Sequence, residues 1–250
     1  MLTLRNCLRP FCKECSVHTI LIAAQKGGAG KSTLAVHFGA LAQQSGKTLL
    51  IDADPQGSLS FWHRRRAAPT PHLTKASAGD VPEILNIAER EGVDWVVIDS
   101  PPHNGSLIAS LMSRATLTLI PVRPGPFDLD AVGATLTMAR SLKAPLACII
   151  NAAPPITRGD TQVSTVAETR DVLISMGAPV LPGQVSQRVS LSHALIGGQS
   201  VDEYEPEGRA CAEVGAMWAT ICELARTFPR QARSSWQASS VTACGVMVRA

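Results

Sequence analysis

The sequence predicts an α/β fold in three layers: a mostly parallel, twisted sheet with helices on both faces. Apolar runs of strand length alternate with stretches of helical period, and strand–helix–strand repetition implies right-handed crossovers between parallel strands. The apolar runs are continuous rather than alternating, as strands buried on both faces should be. Over 250 residues, 45% hydrophobic and 17% charged residues supply a real core, which excludes wholesale disorder.

Taken in chain order, the predicted strands are 19–24 (TILIAA), 48–51 (TLLI), 95–98 (WVVI), 117–122 (LTLIPV) and 146–150 (LACII). Helical patterns fall at about 32–45, 80–91, 127–142 and 161–176. A last helix at about 207–227 carries Val214, Met217, Trp218, Ile221 and Leu224 at helical spacing, so that one face should pack on the sheet. The ends differ from this middle. Residues 1–17 show no sustained period, and 229–250 are rich in Ser and Ala and hold no acid. Both are expected to be poorly ordered extensions around one domain at 18–228.

Charge and cysteine usage narrow the classes further. The whole chain is +3. Arg5, Arg9, Lys13 and Glu14 make residues 1–18 net +2, and Arg230, Arg233 and Arg249 make 229–250 net +3, so residues 19–228 are net −2. A nucleic-acid partner must therefore be argued from local patches rather than bulk charge. Seven cysteines in a chain of this size read as reduced thiols in a cytosolic protein rather than a disulfide framework. Cys7, Cys12 and Cys15 have the spacing of three iron–sulfur ligands, but a fourth is needed. Mean hydropathy is only +0.12, and no run approaches the roughly 20 apolar residues of a membrane span.

The most informative stretch is 25–33, QKGGAGKST, which follows the first strand and opens the first helix. This is the setting of a phosphate-binding loop, and with it the fold becomes a P-loop NTPase fold. Gly27, Gly28 and Gly30 remove side chains so that the backbone can wrap phosphates, with Ala29 among them. Lys31 can reach the β- and γ-phosphates of ATP, Ser32 can offer its hydroxyl to Mg²⁺, and Thr33 can add a phosphate contact. The usual first glycine of G-x-x-x-x-G-K-S/T is Gln25, and a second lysine, Lys26, stands before the glycines. Two carboxylate segments follow. In 51–57, IDADPQG, strand geometry puts Asp52 and Asp54 at the carboxyl end of the second strand, the edge where α/β sheets bind ligands. In 96–99, VVID, an apolar strand ends in Asp99, placed to hold Mg²⁺.

The loop resembles the deviant Walker A loop, K-G-G-x-G-K-S/T, of the ParA/MinD family of ATPases. The resemblance covers about residues 18–228. It implies that Lys26 reaches across a dimer interface to the partner's nucleotide, making the homodimer depend on ATP. It implies that Asp54 orients the attacking water while Asp52 sits nearer the metal. It further implies that 100–105, SPPHNG, senses the γ-phosphate, and that Asn151 reads the adenine edge.

Within the family, the absence of cysteine between Asp99 and Cys148 argues against the nitrogenase iron protein, and one tyrosine, Tyr204, against the tyrosine autokinases. Residues 229–250 lack the apolar stripe of a MinD-type membrane helix, so no membrane partner is expected. With 25 residues before Lys26 in this sequence, a preceding helix-turn-helix domain is not expected. What remains resembles the short ParA type, which segregates plasmids, chromosomes or protein cargo. Segments 186–194 (SQRVSLSHA), 197–201 (GGQSV) and 205–208 (EPEG) are similar to its late region. The resemblance implies a cytoplasmic, nucleoid-associated ATPase that binds non-specific DNA in the ATP state and answers to a ParB-like or other cargo adaptor. Arg188 is the DNA-contact candidate there. Arg64, Arg65 and Arg66, in the run HRRR at 63–66, form a second basic cluster, in which phosphate contacts would be salt-dependent. Two alternatives stay open: a MinD-like or conjugation-related positioning ATPase acting on a protein without DNA, and a metabolic P-loop synthetase.

Overall fold

A computed structural model describes residues 17–77, 79–102, 104–156 and 164–228. The N-terminal cysteines, His103, the first residues of the helical pattern at 161–176 and the residues from 229 onward lie outside the described residues. Seven parallel strands form one sheet in the order β3-β2-β4-β1-β5-β6-β7. They are β1 (His18–Ile22), β2 (Thr48–Asp52), β3 (His72–Lys75), β4 (Trp95–Asp99), β5 (Leu117–Val122), β6 (Leu146–Ala153) and β7 (Val185–Ser186). The five predicted strands are all present. β3 and β7 escaped prediction because they are short edge strands: β3 is exposed or half-buried along its length, without the apolar run that a doubly covered strand needs.

The helices are α1 (Lys31–Gln43), α2 (Ser58–His63), α3 (Val81–Arg90), α4 (Gly105–Met112), α5 (Pro126–Ser141), α6 (Ser164–Ser175), α7 (Val189–Ile196), α8 (Val201–Tyr204) and α9 (Arg209–Thr227). Strand alternation divides the core. Ile20 and Ile22 of β1, with Trp95 and Val97 of β4, face the layer of α1 and α9. Leu21, Val96 and Ile98 face the opposite layer, with Leu85 of α3 and Ile108 of α4. Period-two side chains on a two-sided sheet require this split. The expected face of α9 is the one that packs: Val214, Met217, Trp218 and Ile221 are buried and Leu224 is half-buried against them. Trp218 stands edge-on to Trp95, with centroids 5.0 Å apart. α1 is buried almost all round, as a central helix clamped between the sheet and α9 should be.

The basic run at 63–66 divides between surface and interior. It ends α2, which docks on the loop between α7 and α8. Trp62 Nε1 donates to the Gln199 carbonyl at 3.0 Å. Arg66 donates to the Gly198 carbonyl at 3.1 Å and makes a two-pronged ion pair with Glu203. Gly198 has φ +70°, and a Cβ there would lie 2.4 Å from the Arg65 backbone carbon, so only glycine permits this approach. The Arg66 side chain is 6% exposed, which removes it from the set of free DNA contacts expected of the run. Arg64 and Arg65 remain exposed, with the Arg65 guanidinium 3.5 Å from the Phe61 ring centroid. Arg188 is likewise committed, donating to Glu213 Oε1 at 2.6 Å. Glu213 also accepts from the Ser186 backbone N–H, so Arg188 ties β7 to α9 rather than standing free for DNA.

Candidate functional site

Parallel strands with crossover helices bring all their carboxyl ends to one edge. β1 sits between β4 and β5, so the loop that leaves β1 is flanked by what leaves those two strands. In register, Ile22 pairs with Asp99 and Asp99 with Asp52. This places both carboxylates level with the start of the 25–33 loop.

The loop is shaped by its glycines and by side chains that hold its carbonyls. Gly28 and Gly30 have φ of +76° and +89°, a region costly for residues with a Cβ. Asn151 Nδ2 donates to the Ala29 carbonyl at 2.8 Å. Arg123 Nη1 donates to the Gly28 carbonyl at 3.4 Å, and Lys31 Nζ reaches the Lys26 carbonyl at 3.4 Å. By contrast, apart from the turn over Gly27 and Gly28, no backbone N–H from Lys26 to Thr33 has a protein acceptor among the described residues. These donors, ending at the N-terminus of a 13-residue helix, form an anion-binding concavity.

Buried charge lies beneath the loop. Both Asp99 carboxylate oxygens are buried without a hydrogen-bond partner. Burial pushes the group up to about 7; the Ser32 hydroxyl and Lys31 pull it down, while Asp52 adds to the rise. Burial also lowers Lys31, against the attraction of Asp99 and Asp54. An unpartnered buried carboxylate beside a hydroxyl and an ammonium has the donor chemistry of a Mg²⁺–phosphate site. Ser32, Asp99 and Lys31 fit that group.

The other predicted residues divide. Asp54 is buried beside Lys31 and Asp99, with Oδ1 accepting the Gln56 N–H at 2.9 Å. The Asp–Pro–Gln–Gly sequence is indeed a turn: Gly57 N–H donates to the Asp54 carbonyl at 3.0 Å. Asp52 is spent on the same connection. Its Oδ2 accepts the Ser60 N–H at 2.8 Å and the Ser60 hydroxyl at 2.5 Å, and its Oδ1 accepts the Asp54 N–H at 3.3 Å. It anchors α2 through Oδ2 and lies close enough to Asp99 to raise that group's titration. Asn151 is 6% exposed and pressed against the loop, its Nδ2 2.3 Å from where a Gly30 Cβ would stand. It holds the loop through its Nδ2.

Sequence reading passed over the β5–α5 connection, residues 123–125. Lys26 Nζ forms an ion pair with Asp128 of α5 at 2.7 Å, and Arg123 is the donor to Gly28. The available signal was the run RPGPFD directly after the apolar β5 run: loop residues and charges at a strand's carboxyl end belong to the ligand edge. A cavity of about 800 Å³ lies elsewhere, lined in part by Arg170 of α6, Gly183 and Glu213. Its two charged groups serve the fold, since Arg170 donates to the Leu181 and Gly183 carbonyls and Glu213 holds Arg188.

Comparison with known proteins agrees with this geometry. Residues 20–201 match the model of the CobQ/CobB/MinD/ParA nucleotide binding domain. The chain is 32% identical over 205 residues to maintenance of carboxysome distribution protein A of Halothiobacillus neapolitanus, covering 78% of this chain and 91% of that one. Among solved structures, apo McdA of Cyanothece superposes with a TM-score of 0.66 at 20% identity over 80% of this chain and 99% of that one. The septum site-determining protein MinD of Pyrococcus horikoshii, complexed with Mg-ADP, superposes at 0.68 with 17% identity, over 84% and 98%. The phosphate loop, the carboxylates beneath it and the match over 20–201 agree: the chain belongs to the CobQ/CobB/MinD/ParA nucleotide-binding family.

Proposed function

We propose that the chain is an ATP-hydrolysing, ATP-dimerised switch that positions cargo. The observation that supports it most directly is the row of N–H groups along Lys26 to Thr33 that, apart from the turn, have no protein acceptor among the described residues, set over an unpartnered Asp99. When bound, Mg–ATP supplies the phosphoanhydride to be cleaved. Lys31 and the loop donors hold its phosphates, and Ser32 with Asp99 holds the metal. Asp54, at the same edge, orients the attacking water. Among the described residues, Lys26 has a single carboxylate partner, Asp128. A second copy's phosphates compete with Asp128 for this ammonium, whose side chain is 35% exposed. Dimerisation then depends on ATP.

Cargo positioning is favoured by the likeness to a carboxysome-distribution protein and to a chromosome-partitioning ATPase of Thermus thermophilus at 29% identity. Non-specific DNA as the track rests on Arg64 and Arg65, the exposed members of the basic run. A second reading, positioning on a protein surface without DNA, is favoured by the engagement of Arg66 and Arg188 in internal ion pairs. The Asp54→Ala protein, expected to bind Mg–ATP and dimerise but turn over slowly, separates them. On the DNA reading it is retained on non-specific duplex with ATP and not ADP, with affinity falling steeply with salt. Retention indifferent to nucleotide, or absent at low salt, selects the protein-surface reading. Unchanged single-turnover hydrolysis removes Asp54 from its role.

A further inference from the structure

Lys26, Lys31 and Arg123 converge on the phosphate loop, and their partners differ. Lys31 is buried beside Asp99 and Asp54, and Lys26 is paired with Asp128. Arg123 has no carboxylate within ion-pair distance among the described residues. It is exposed, and its hydrogen bond to the Gly28 carbonyl is long, at 3.4 Å. As the first residue beyond β5, it is carried to this place by the strand that pairs with β1. Its backbone is therefore fixed by the sheet while its guanidinium is weakly held. An exposed cation with one long bond to a neutral carbonyl has a better partner in any anion that reaches it.

Its position along the loop indicates which anion. In a loop of this kind the backbone N–H groups cradle the α- and β-phosphates and the lysine, here Lys31, reaches the β- and γ-phosphates. The Lys31 ammonium rests 3.4 Å from the Lys26 carbonyl, two residues before Gly28, so the Gly28 carbonyl that Arg123 holds adjoins the end of the loop where the terminal phosphate is met. A Cβ at Gly28 would have Arg123 Nη1 at 3.9 Å as its nearest neighbour, so little besides that guanidinium stands over this part of the rim.

Resting on the nucleotide-binding reading above, we propose that Arg123 is a terminal-phosphate sensor: its guanidinium leaves the Gly28 carbonyl for the γ-phosphate of the nucleotide held by the same chain, and so favours triphosphate over diphosphate. Lys26 is assigned to the second copy's nucleotide, whereas Arg123 acts within its own chain and needs no dimer. Its planar fork suits a phosphate better than the point charge of a lysine.

The test is equilibrium binding of a fluorescent ADP and a fluorescent, non-hydrolysable ATP analogue with Mg²⁺, at protein concentrations where the chain is monomeric. For Arg123→Ala the expected loss is about tenfold for the triphosphate, the lower end for a charge-assisted hydrogen bond at an exposed rim. The loss for ADP is expected to stay below about twofold. Arg123→Lys should recover part of the triphosphate affinity, and should decide the matter alone if the alanine protein does not fold. Equal losses for both nucleotides would reduce Arg123 to a support of the Gly28 carbonyl. No loss for either, with Lys31→Ala losing both, would overturn the proposal and leave the nucleotide site standing. If Lys31→Ala bound both as tightly as the parent, the nucleotide-binding reading itself would fail, and this proposal with it.

Discussion

Replacing Asp99 with asparagine should stabilise the nucleotide-free protein at pH 8 while abolishing its use of Mg²⁺. Asp99 is fully buried, and burial moves its titration from 3.8 to about 7 against the pull of the Ser32 hydroxyl and Lys31. Each tenfold change in proton affinity is worth about 1.4 kcal/mol, so keeping this group ionised costs the folded state about 4 kcal/mol. Here the folded pKa is raised. Between 3.8 and about 7 the native state binds the extra proton, so its stability falls as pH rises through that window. Below 3.8 the penalty is absent, and above about 7 it is complete. The Asp99→Asn protein escapes it. The same substitution leaves Lys31 without one of its two attracting carboxylates, which offsets part of the gain, and a net advantage of about 2–4 kcal/mol at pH 8 over pH 4 is expected. Urea unfolding of both proteins in EDTA at pH 4, 6 and 8 measures this. Packing differences between the carboxylate and the amide cancel when the gap is followed against pH. A gap that does not widen by at least about 1 kcal/mol from pH 4 to pH 8 would refute the claim that the folded state is penalised for ionising this buried group.

Three further outcomes are expected. Lys26→Ala should bind ATP as a monomer yet show no ATP-dependent dimer in light scattering; a dimer like the parent's would remove Lys26 from its trans role. Gly30→Ala should weaken nucleotide binding at least tenfold in the fluorescence assay. It combines about 1–2 kcal/mol of strain at positive φ with a Cβ 2.3 Å from Asn151 Nδ2, and the Asn151–Ala29 bond that shapes the loop must give way. His37, buried with Nδ1 accepting the Val201 N–H at 3.1 Å, is held down to about 4 by burial. With its folded pKa below 6.5, the unfolded chain binds the extra proton. Stability is complete above 6.5 and should drop by roughly 3 kcal/mol as pH falls toward 4. His37→Asn should lose less over that range in the same urea series.

What the sequence by itself determined was the set of buried strands and the ligand edge. Continuous apolar runs such as WVVI can bury two faces in only one way, and a glycine loop between such a strand and a helix has few other uses. The loop at 25–33, Asp54 and Asp99 stood out because the loop directly follows β1, Asp54 follows β2 and Asp99 ends β4, so local chemistry and position coincide. Tertiary structure alone decided which polar residues were already spoken for. Arg66 and Arg188 read as free cations until Glu203 and Glu213, 137 and 25 residues away, met them. Asp52 read as a metal ligand, and only the fold showed that Ser60 makes two hydrogen bonds to one of its oxygens. Arg123 and Asp128 drew no notice because their meaning depends on β5 lying beside β1, about 100 residues upstream. Ion pairs and hydrogen bonds act over a few ångströms in space, and chain distance carries almost no information about them. Backbone periodicity and glycine geometry are properties of neighbouring residues, and those the sequence displays directly.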